Sequence, residues 1–239
     1  MTMPNAIASP QNYARFAGII YLLLIIAGGL DETLIRNTII ALGDPLATAN
    51  NITAHESLWR LGIAGDLLMH VCDVFAMLAL YVLLKPVNRK LALMALIFNV
   101  VQTAVLVANK LTLLLPLLLI GDASYLKAFD PAQLQALSYL AIRLHGYGFG
   151  VGLIFFGVVC LLEGYLIIKS RFLPCLLGTM MQVAGVCYLA NSFLLLLAPQ
   201  YASLYIMLPC LFAELSFALW LLFKGVDVTE WQRQAALST

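Results

Sequence analysis

The chain has 239 residues, of which 63% are hydrophobic and 10% are charged, and its mean hydropathy is +0.96. Soluble domains are about 45–50% apolar and about 25% charged, so this composition excludes an ordinary soluble domain and predicts a polytopic membrane protein. The formal net charge is +1 and the sequence has no basic tract, so we expect no nucleic-acid partner.

Six apolar segments are long enough to cross roughly 30 Å of hydrocarbon as helices. Their approximate extents are residues 14–36, 58–84, 91–120, 142–168, 173–198 and 203–223. The sequence therefore predicts an all-α bundle of about six transmembrane helices, in one integral membrane domain covering residues 1–239. Asp130 followed by Pro131 is typical of a helix start, which predicts an amphipathic surface helix ahead of the fourth segment.

The N-terminus and the cysteines carry no sign of export or redox chemistry. Residues 1–12 lack the basic region of a signal peptide, so we expect the first apolar segment to be retained as a membrane anchor. The five cysteines lie inside apolar stretches and form no C-x-x-C pair. We interpret them as small buried apolar residues.

The distribution of Lys and Arg predicts the orientation of the bundle. Two short loops between segments, residues 85–90 and 169–174, are rich in cations, and each contains a proline. Cytoplasmic loops carry an excess of Lys and Arg, so both loops are expected to face the cytoplasm. With six segments, both termini are then cytoplasmic as well.

Four stretches of the sequence carry a resemblance that covers the whole chain. They are Arg15-Phe-Ala-Gly-Ile-Ile-Tyr, Arg60-Leu-Gly-Ile-Ala-Gly-Asp, Tyr81-Val-Leu-Leu-Lys-Pro-Val-Asn-Arg and His145-Gly-Tyr-Gly-Phe-Gly. Through them the chain resembles a family of small bacterial integral membrane proteins known only as a domain of unknown function. The resemblance implies a multi-pass protein of the bacterial cytoplasmic membrane, and it implies no activity.

Polar residues interrupt the second apolar segment on one face. Asp66, His70 and Asp73 fall within roughly 60° of one another at 100° per residue. An ionisable group at the bilayer centre costs at least about 2.5–3.5 kcal/mol, so this stripe is expected to face protein, water or a ligand.

Depth along the predicted helices groups further polar residues with this stripe, at about 1.5 Å of rise per residue. The expected site is biased to the outer leaflet and consists of Asp31, Glu32, Asp66, His70, Asp73, Gln102, Asn109, Lys110, Arg143 and His145. Glu163 lies about 27 Å below His145 along one helix, so it is excluded. Glu214, near the midplane, is expected to help complete the interior.

Several interpretations of this site remain open. In one, Lys110 and Arg143 neutralise the carboxylates of a purely structural charge network. In another, the site binds a lipid or another small amphipathic molecule, whose polar head meets the charged side chains. Proton-coupled transport would be a dynamic version of that binding.

A metal-dependent hydrolase is a further alternative. Asp66, His70 and His145 are ligand types used by zinc or iron, although no H-x-x-x-H pair is present and two cations lie at similar depth. No cofactor is strongly indicated.

Glycines repeat at helical spacing between Gly146 and Gly152 in the fourth segment. Small residues four apart allow helix backbones to approach closely. This pattern predicts either packing inside the bundle or a homodimer through that face.

Overall fold

The computed structural model describes residues 9–237. Residues 1–8, which form most of the stretch without a signal-peptide pattern, and residues 238–239 lie outside the described residues.

Six helices in the described part are long and apolar enough to cross a membrane. In order, the first to sixth spans are Pro10–Ile39, Glu56–Leu84, Arg89–Ile120, Pro131–Ser170, Cys175–Leu197 and Leu204–Phe223. No strand occurs in residues 9–237, which is expected because helices satisfy their backbone hydrogen bonds within the segment. The predicted all-α, six-helix architecture is confirmed, and the chain is a multi-pass membrane protein.

Short helices mark the two ends of the bundle. Pro45–Ala54, Ser124–Ala128 and Pro199–Tyr201 lie in connections at one end, which we call the upper end. Val228–Leu237 follows the sixth span at the opposite, lower end, where the indole of Trp231 donates to the carbonyl of Leu83. The charge pattern predicts that the upper end faces outward and the lower end faces the cytoplasm.

The fourth span begins earlier than predicted. It is one continuous 40-residue helix rather than a surface helix followed by a shorter span. Asp130 caps it as expected, since its carboxylate accepts from the amide of Ala132 while its own amide donates to the side chain of Gln133. No proline or glycine occurs in residues 132–141, so nothing stops the helix there. At about 60 Å it is twice the thickness of the hydrocarbon layer.

The first and third spans are irregular in their upper halves. In the first span, Asp31–Arg36 forms a π-helical turn. The third span is interrupted at Lys110, whose amide bonds to the carbonyl of Val107 three residues back, at 3.1 Å. Both π-helical turns and 3₁₀-type breaks inside α-helices are often found at functional sites.

Glycines of the fourth span face its neighbours. A Cβ at Gly164 would lie 2.6 Å from the carbonyl oxygen of Gly178 in the fifth span, and a Cβ at Gly152 would lie 2.5 Å from the side chain of Leu106. At Gly146, by contrast, nothing lies within 4 Å of that position. The stripe therefore packs mainly inside the bundle, with the fourth span as the most buried of the six.

The cysteines do not share one environment. Cys160 and Cys210 are buried, as expected for small apolar residues. Cys175 is exposed, which corrects the prediction for that residue, because it is the first residue of the fifth span and follows the lower loop.

Candidate functional site

The upper half of the bundle contains a compact group of charges, which we call the charged layer: Asp31, Arg36, Asp66 and Lys110. Asp66 Oδ2 accepts from Lys110 Nζ at 2.5 Å and also from Arg36 Nη2. Arg36 Nε donates to Asp31 Oδ2 at 2.5 Å. Asp66 is 5% exposed and Lys110 4% exposed. Two carboxylates and two cations therefore compensate one another where isolated charges would be costly.

The π-helical turn explains why Arg36 belongs to the charged layer. Residues five apart in a regular α-helix lie about 140° from each other, on different faces. A π-helical turn pairs residues five apart, and Arg36 and Asp31 have that separation. The turn therefore brings Arg36 over Asp31 and towards Asp66 of the second span.

Two residues of the predicted site do not join the charged layer. Arg143, expected to neutralise these carboxylates, is exposed and forms no ion pair within residues 9–237, so Arg36 takes its predicted role. The side chain of Glu32 is 62% exposed and lies 4.0 Å from Arg36.

Asn109 and His145 connect the third and fourth spans beside the interruption at Lys110. Asn109 Nδ2 donates to the carbonyl of His145 at 2.9 Å and lies 3.1 Å from its Nδ1 atom. Thr112 Oγ1 lies 3.2 Å from the same ring nitrogen. His145 therefore has several polar neighbours that fix its ring.

Below the charged layer lies a cavity of about 180 Å³, which we call the central cavity. Each of the six spans contributes to its wall. Apolar and aromatic side chains form most of it, including Phe149, Leu153 and Phe156 from the fourth span. The polar side chains of the wall come from the other five spans: Tyr21, His70, Asp73, Gln102, Tyr188 and Glu214.

The central cavity is acidic. Asp73 Oδ2 accepts from Thr103 at 2.9 Å and from Asn99 at 3.1 Å, and Glu214 accepts from the hydroxyl of Tyr188. No Lys or Arg of the described chain lines the cavity. Glu163 of the fourth span lies outside the cavity wall, and it is buried with no hydrogen bond to its Oε1 atom among the described residues.

Two polar side chains of the wall, His70 and Tyr21, have a buried atom without a hydrogen-bond partner among the described residues. His70 is 5% exposed, and its Nε2 atom is buried with no hydrogen bond to any described residue. Buried polar atoms are nearly always hydrogen-bonded to protein, ordered water or a ligand. The Nε2 atom of His70 is therefore available for a hydrogen bond to a ligand in the cavity.

The ten residues of the predicted site fall into distinct groups. Three belong to the charged layer, two connect the third and fourth spans, three line the central cavity, and two are exposed. The three on the cavity are His70, Asp73 and Gln102. Sequence reasoning missed Arg36, which it placed at the end of the first apolar segment and outside the site. It also missed Tyr21 and Tyr188, which are inconspicuous within apolar segments.

The described residues do not form a complete set of ligands for the metal site considered above. No three His, Cys, Asp or Glu side chains within residues 9–237 are arranged to hold a metal ion. Of the three proposed ligands, Asp66 already binds two cationic side chains, and His145 is held by Asn109.

Comparison with known proteins gives the family. The model of the domain of unknown function DUF4386 matches residues 16–225, which include the charged layer and the central cavity. The chain belongs to the DUF4386 family. This DUF4386 chain is also similar to an uncharacterized protein of Archaeoglobus fulgidus, with 31% identity over 168 residues, covering 70% of the chain and 86% of the relative. No solved structure matches it.

Proposed function

We propose that this DUF4386 protein binds a small amphipathic molecule in the central cavity, as a multi-pass protein of the bacterial cytoplasmic membrane. The observation that carries the proposal is the buried, unpartnered Nε2 atom of His70 on the wall of a largely apolar cavity. Ligand sites typically combine apolar walls with a few polar groups that fix orientation.

The volume of the cavity limits the size of the ligand. An apolar cavity of about 150 Å³ binds benzene, whereas sites for drug-sized ligands occupy roughly 300–1,000 Å³. At about 180 Å³, the central cavity suits a molecule with one ring or a short chain and one polar group. A whole lipid is too large for it.

A groove between the first and second spans supports entry from the bilayer. It encloses about 310 Å³ and is lined partly by Leu30, Leu34 and Leu61, which are exposed on the lipid-facing side. Met69 lines both this groove and the central cavity. An amphipathic molecule dissolved in the bilayer would reach the cavity past this flexible side chain.

Within this proposal, the residues of the charged layer have a structural role. Its two carboxylates are already paired with two cations, so it offers a ligand no uncompensated charge. It joins the first three spans directly above the central cavity. We infer that it holds these spans in position while the cavity carries the binding.

The proposal is tested by filling the cavity. Leu24 lines the cavity, and its neighbour Leu23 is exposed on the lipid-facing side of the same helix. Binding of 4-fluorobenzyl alcohol to the purified protein in detergent is measured by fluorine NMR. Wild type is expected to bind it saturably and Leu23→Trp to match wild type, whereas Leu24→Trp should lose binding because the indole occupies the cavity.

In the same experiment, His70→Gln tests whether the polar group of the ligand contacts His70. Because His70 makes no hydrogen bond to a described residue, its replacement should leave the melting temperature unchanged or higher while weakening binding of the alcohol. Equal binding by wild type, Leu24→Trp and His70→Gln would exclude the cavity as the site. A His70→Gln protein that melts well below wild type but still binds the alcohol would make His70 a structural histidine.

A further inference from the structure

We propose that the ligand of the central cavity is a small organic amine, bound as its ammonium ion. This inference rests on the proposed function and adds the chemical class of the ligand. It follows from the charge and the aromatic character of the wall, together with the open position at His70.

The carboxyl groups of the cavity have no cationic partner among the described residues. Asp73 accepts only from the neutral side chains of Thr103 and Asn99, and Glu214 accepts from Tyr188. Neither carboxyl forms an ion pair within residues 9–237. A buried carboxylate is normally paired with a cation or neutralised by a proton, so a ligand carrying a positive charge is favoured here.

The nearest cations of the protein are already engaged. Lys110 is bound to Asp66, and Arg36 is shared between Asp66 and Asp31. Both therefore remain in the charged layer above the cavity and leave its carboxyl groups available. An anionic ligand, by contrast, would meet Asp73 and Glu214 without a compensating cation on the wall.

The aromatic residues of the wall suit the same ligand. Tyr21, Phe149, Phe156 and Tyr188 all line the cavity. Phe156 and Tyr188 meet edge to face, with ring centroids 5.2 Å apart. Aromatic faces attract ammonium groups, and the attraction is larger where water is excluded. The same rings provide apolar surface for the carbon skeleton of the amine.

His70 provides a second, independent indication of a ligand. Its unpartnered Nε2 atom can accept a hydrogen bond when the ring is neutral with its proton on Nδ1. An ammonium group has several N–H donors, so it can bond to His70 and to a carboxylate together. A simple ether or ketone of the same size has no such donor.

The test compares two probes that differ in charge and little in size. 4-Fluorobenzylamine is protonated at pH 7, and 4-fluorobenzyl alcohol is neutral with the same number of non-hydrogen atoms. Their dissociation constants are measured by fluorine NMR on the full chain in a non-ionic detergent. Wild type is expected to bind the amine about tenfold more tightly than the alcohol, because hydrogen bonds between charged partners are about twice as strong as neutral ones.

Two matched variants test whether the preference for the amine over the alcohol arises in the cavity. Glu214→Gln removes a carboxyl of the wall, and Glu32→Gln makes the same change at an exposed carboxylate of the first span. Glu214→Gln is expected to abolish the preference for the amine over the alcohol, and Glu32→Gln should behave as wild type. Asp73→Asn, which removes the carboxyl contributed by the second span, repeats the test if Glu214→Gln does not fold.

The outcomes separate this inference from the proposed function. Equal affinity of wild type for amine and alcohol, or a preference that survives both cavity variants, overturns the amine assignment and leaves the cavity as a binding site. Saturable binding of neither probe overturns the proposed function itself. An amine preference lost in the cavity variants and kept in Glu32→Gln supports both.

Discussion

At the scale of single residues, Asp66 is the carboxylate at the centre of the charged layer. Its Oδ2 atom accepts from Lys110 and from Arg36, and both Asp66 and Lys110 are almost fully buried. Replacing a buried ion pair as a whole can be neutral, but removing one partner leaves a charge without compensation. Removing the charge of Asp66 should therefore destabilise the protein much more than removing the charge of an exposed carboxylate of the same helix.

We predict that Asp66→Asn lowers the free energy of unfolding by about 3–5 kcal/mol, because Lys110 is left buried without a counter-charge. The measurement is a titration with SDS in mixed micelles, followed by tryptophan fluorescence. Glu56→Gln is the control on the same span, since Glu56 pairs with Arg60 in an exposed position. Such pairs contribute about 0.3–0.5 kcal/mol.

A loss in Asp66→Asn no larger than that of Glu56→Gln would mean that the charged layer does not stabilise the bundle. The structural role inferred for it would then be wrong. Arg36→Gln gives an independent check, since it should also destabilise the protein by leaving Asp31 without its partner.

At the scale of elements, the fourth span organises the bundle through its glycines. Where its glycines meet the fifth span, the separation of the helix backbones leaves no room for a methyl group at Gly164. At the other end of the stripe, Gly146 faces open space. The glycines of one helix therefore differ in role: some allow close packing against a neighbouring helix, and others face open space. Only the neighbours of each glycine distinguish the two cases.

We predict opposite effects for one substitution at these two positions. Gly164→Ala should lower the free energy of unfolding by about 1–3 kcal/mol, because the added methyl group collides with the carbonyl of Gly178. Gly146→Ala should leave it unchanged or raise it by up to about 1 kcal/mol, since alanine favours the helix over glycine. SDS titration of both variants provides the comparison.

Equal effects of the two substitutions would contradict the internal packing of the stripe. The same variants address the alternative of a homodimer through this face. A protein that is dimeric in detergent and becomes monomeric in Gly146→Ala would place the interface at the open end of the stripe. The mass of the protein–detergent complex, from light scattering, provides that measurement.

At the scale of the whole molecule, alternating connections of six spans put both ends of the described chain at the lower end. The lower loop between the second and third spans is closed by Asn88, whose side chain accepts from the amides of Lys90 and Leu91. Arg89, Lys90, Lys169 and Arg171 also lie there, so the positive-inside bias predicts that the lower end faces the cytoplasm.

We predict that a cysteine at Thr53 reacts with a membrane-impermeant maleimide in intact cells. Cysteines at Asn88 and Gln232 should react only after the cells are permeabilised. All three positions are exposed, whereas Ser170 in the second lower loop is fully buried and unsuitable. The background carries Cys175→Ser, because Cys175 is the exposed native cysteine of the described chain. Labelling of Asn88 in intact cells would reverse the orientation.

The sequence by itself determined the membrane class, the number of spans and the helix start at Asp130, since these depend on local composition and spacing. It also determined that Asp66, His70 and Asp73 share one helix face, because helical periodicity is a local property. Three of the ten predicted site residues, His70, Asp73 and Gln102, line the central cavity. The other seven do not line it, because depth along a helix does not say which neighbours a side chain meets.

Only the tertiary structure decided which polar groups meet. A π-helical turn changes which residues share a face, so periodicity could not bring Arg36 to Asp31 and Asp66, and it assigned the counter-charge to Arg143 instead. Tyr21 comes from the first span, whereas Tyr188 and Glu214 come from the last two, and they line one cavity because of how the helices pack. Packing depends on contacts between distant residues, and a single sequence carries no direct record of such contacts.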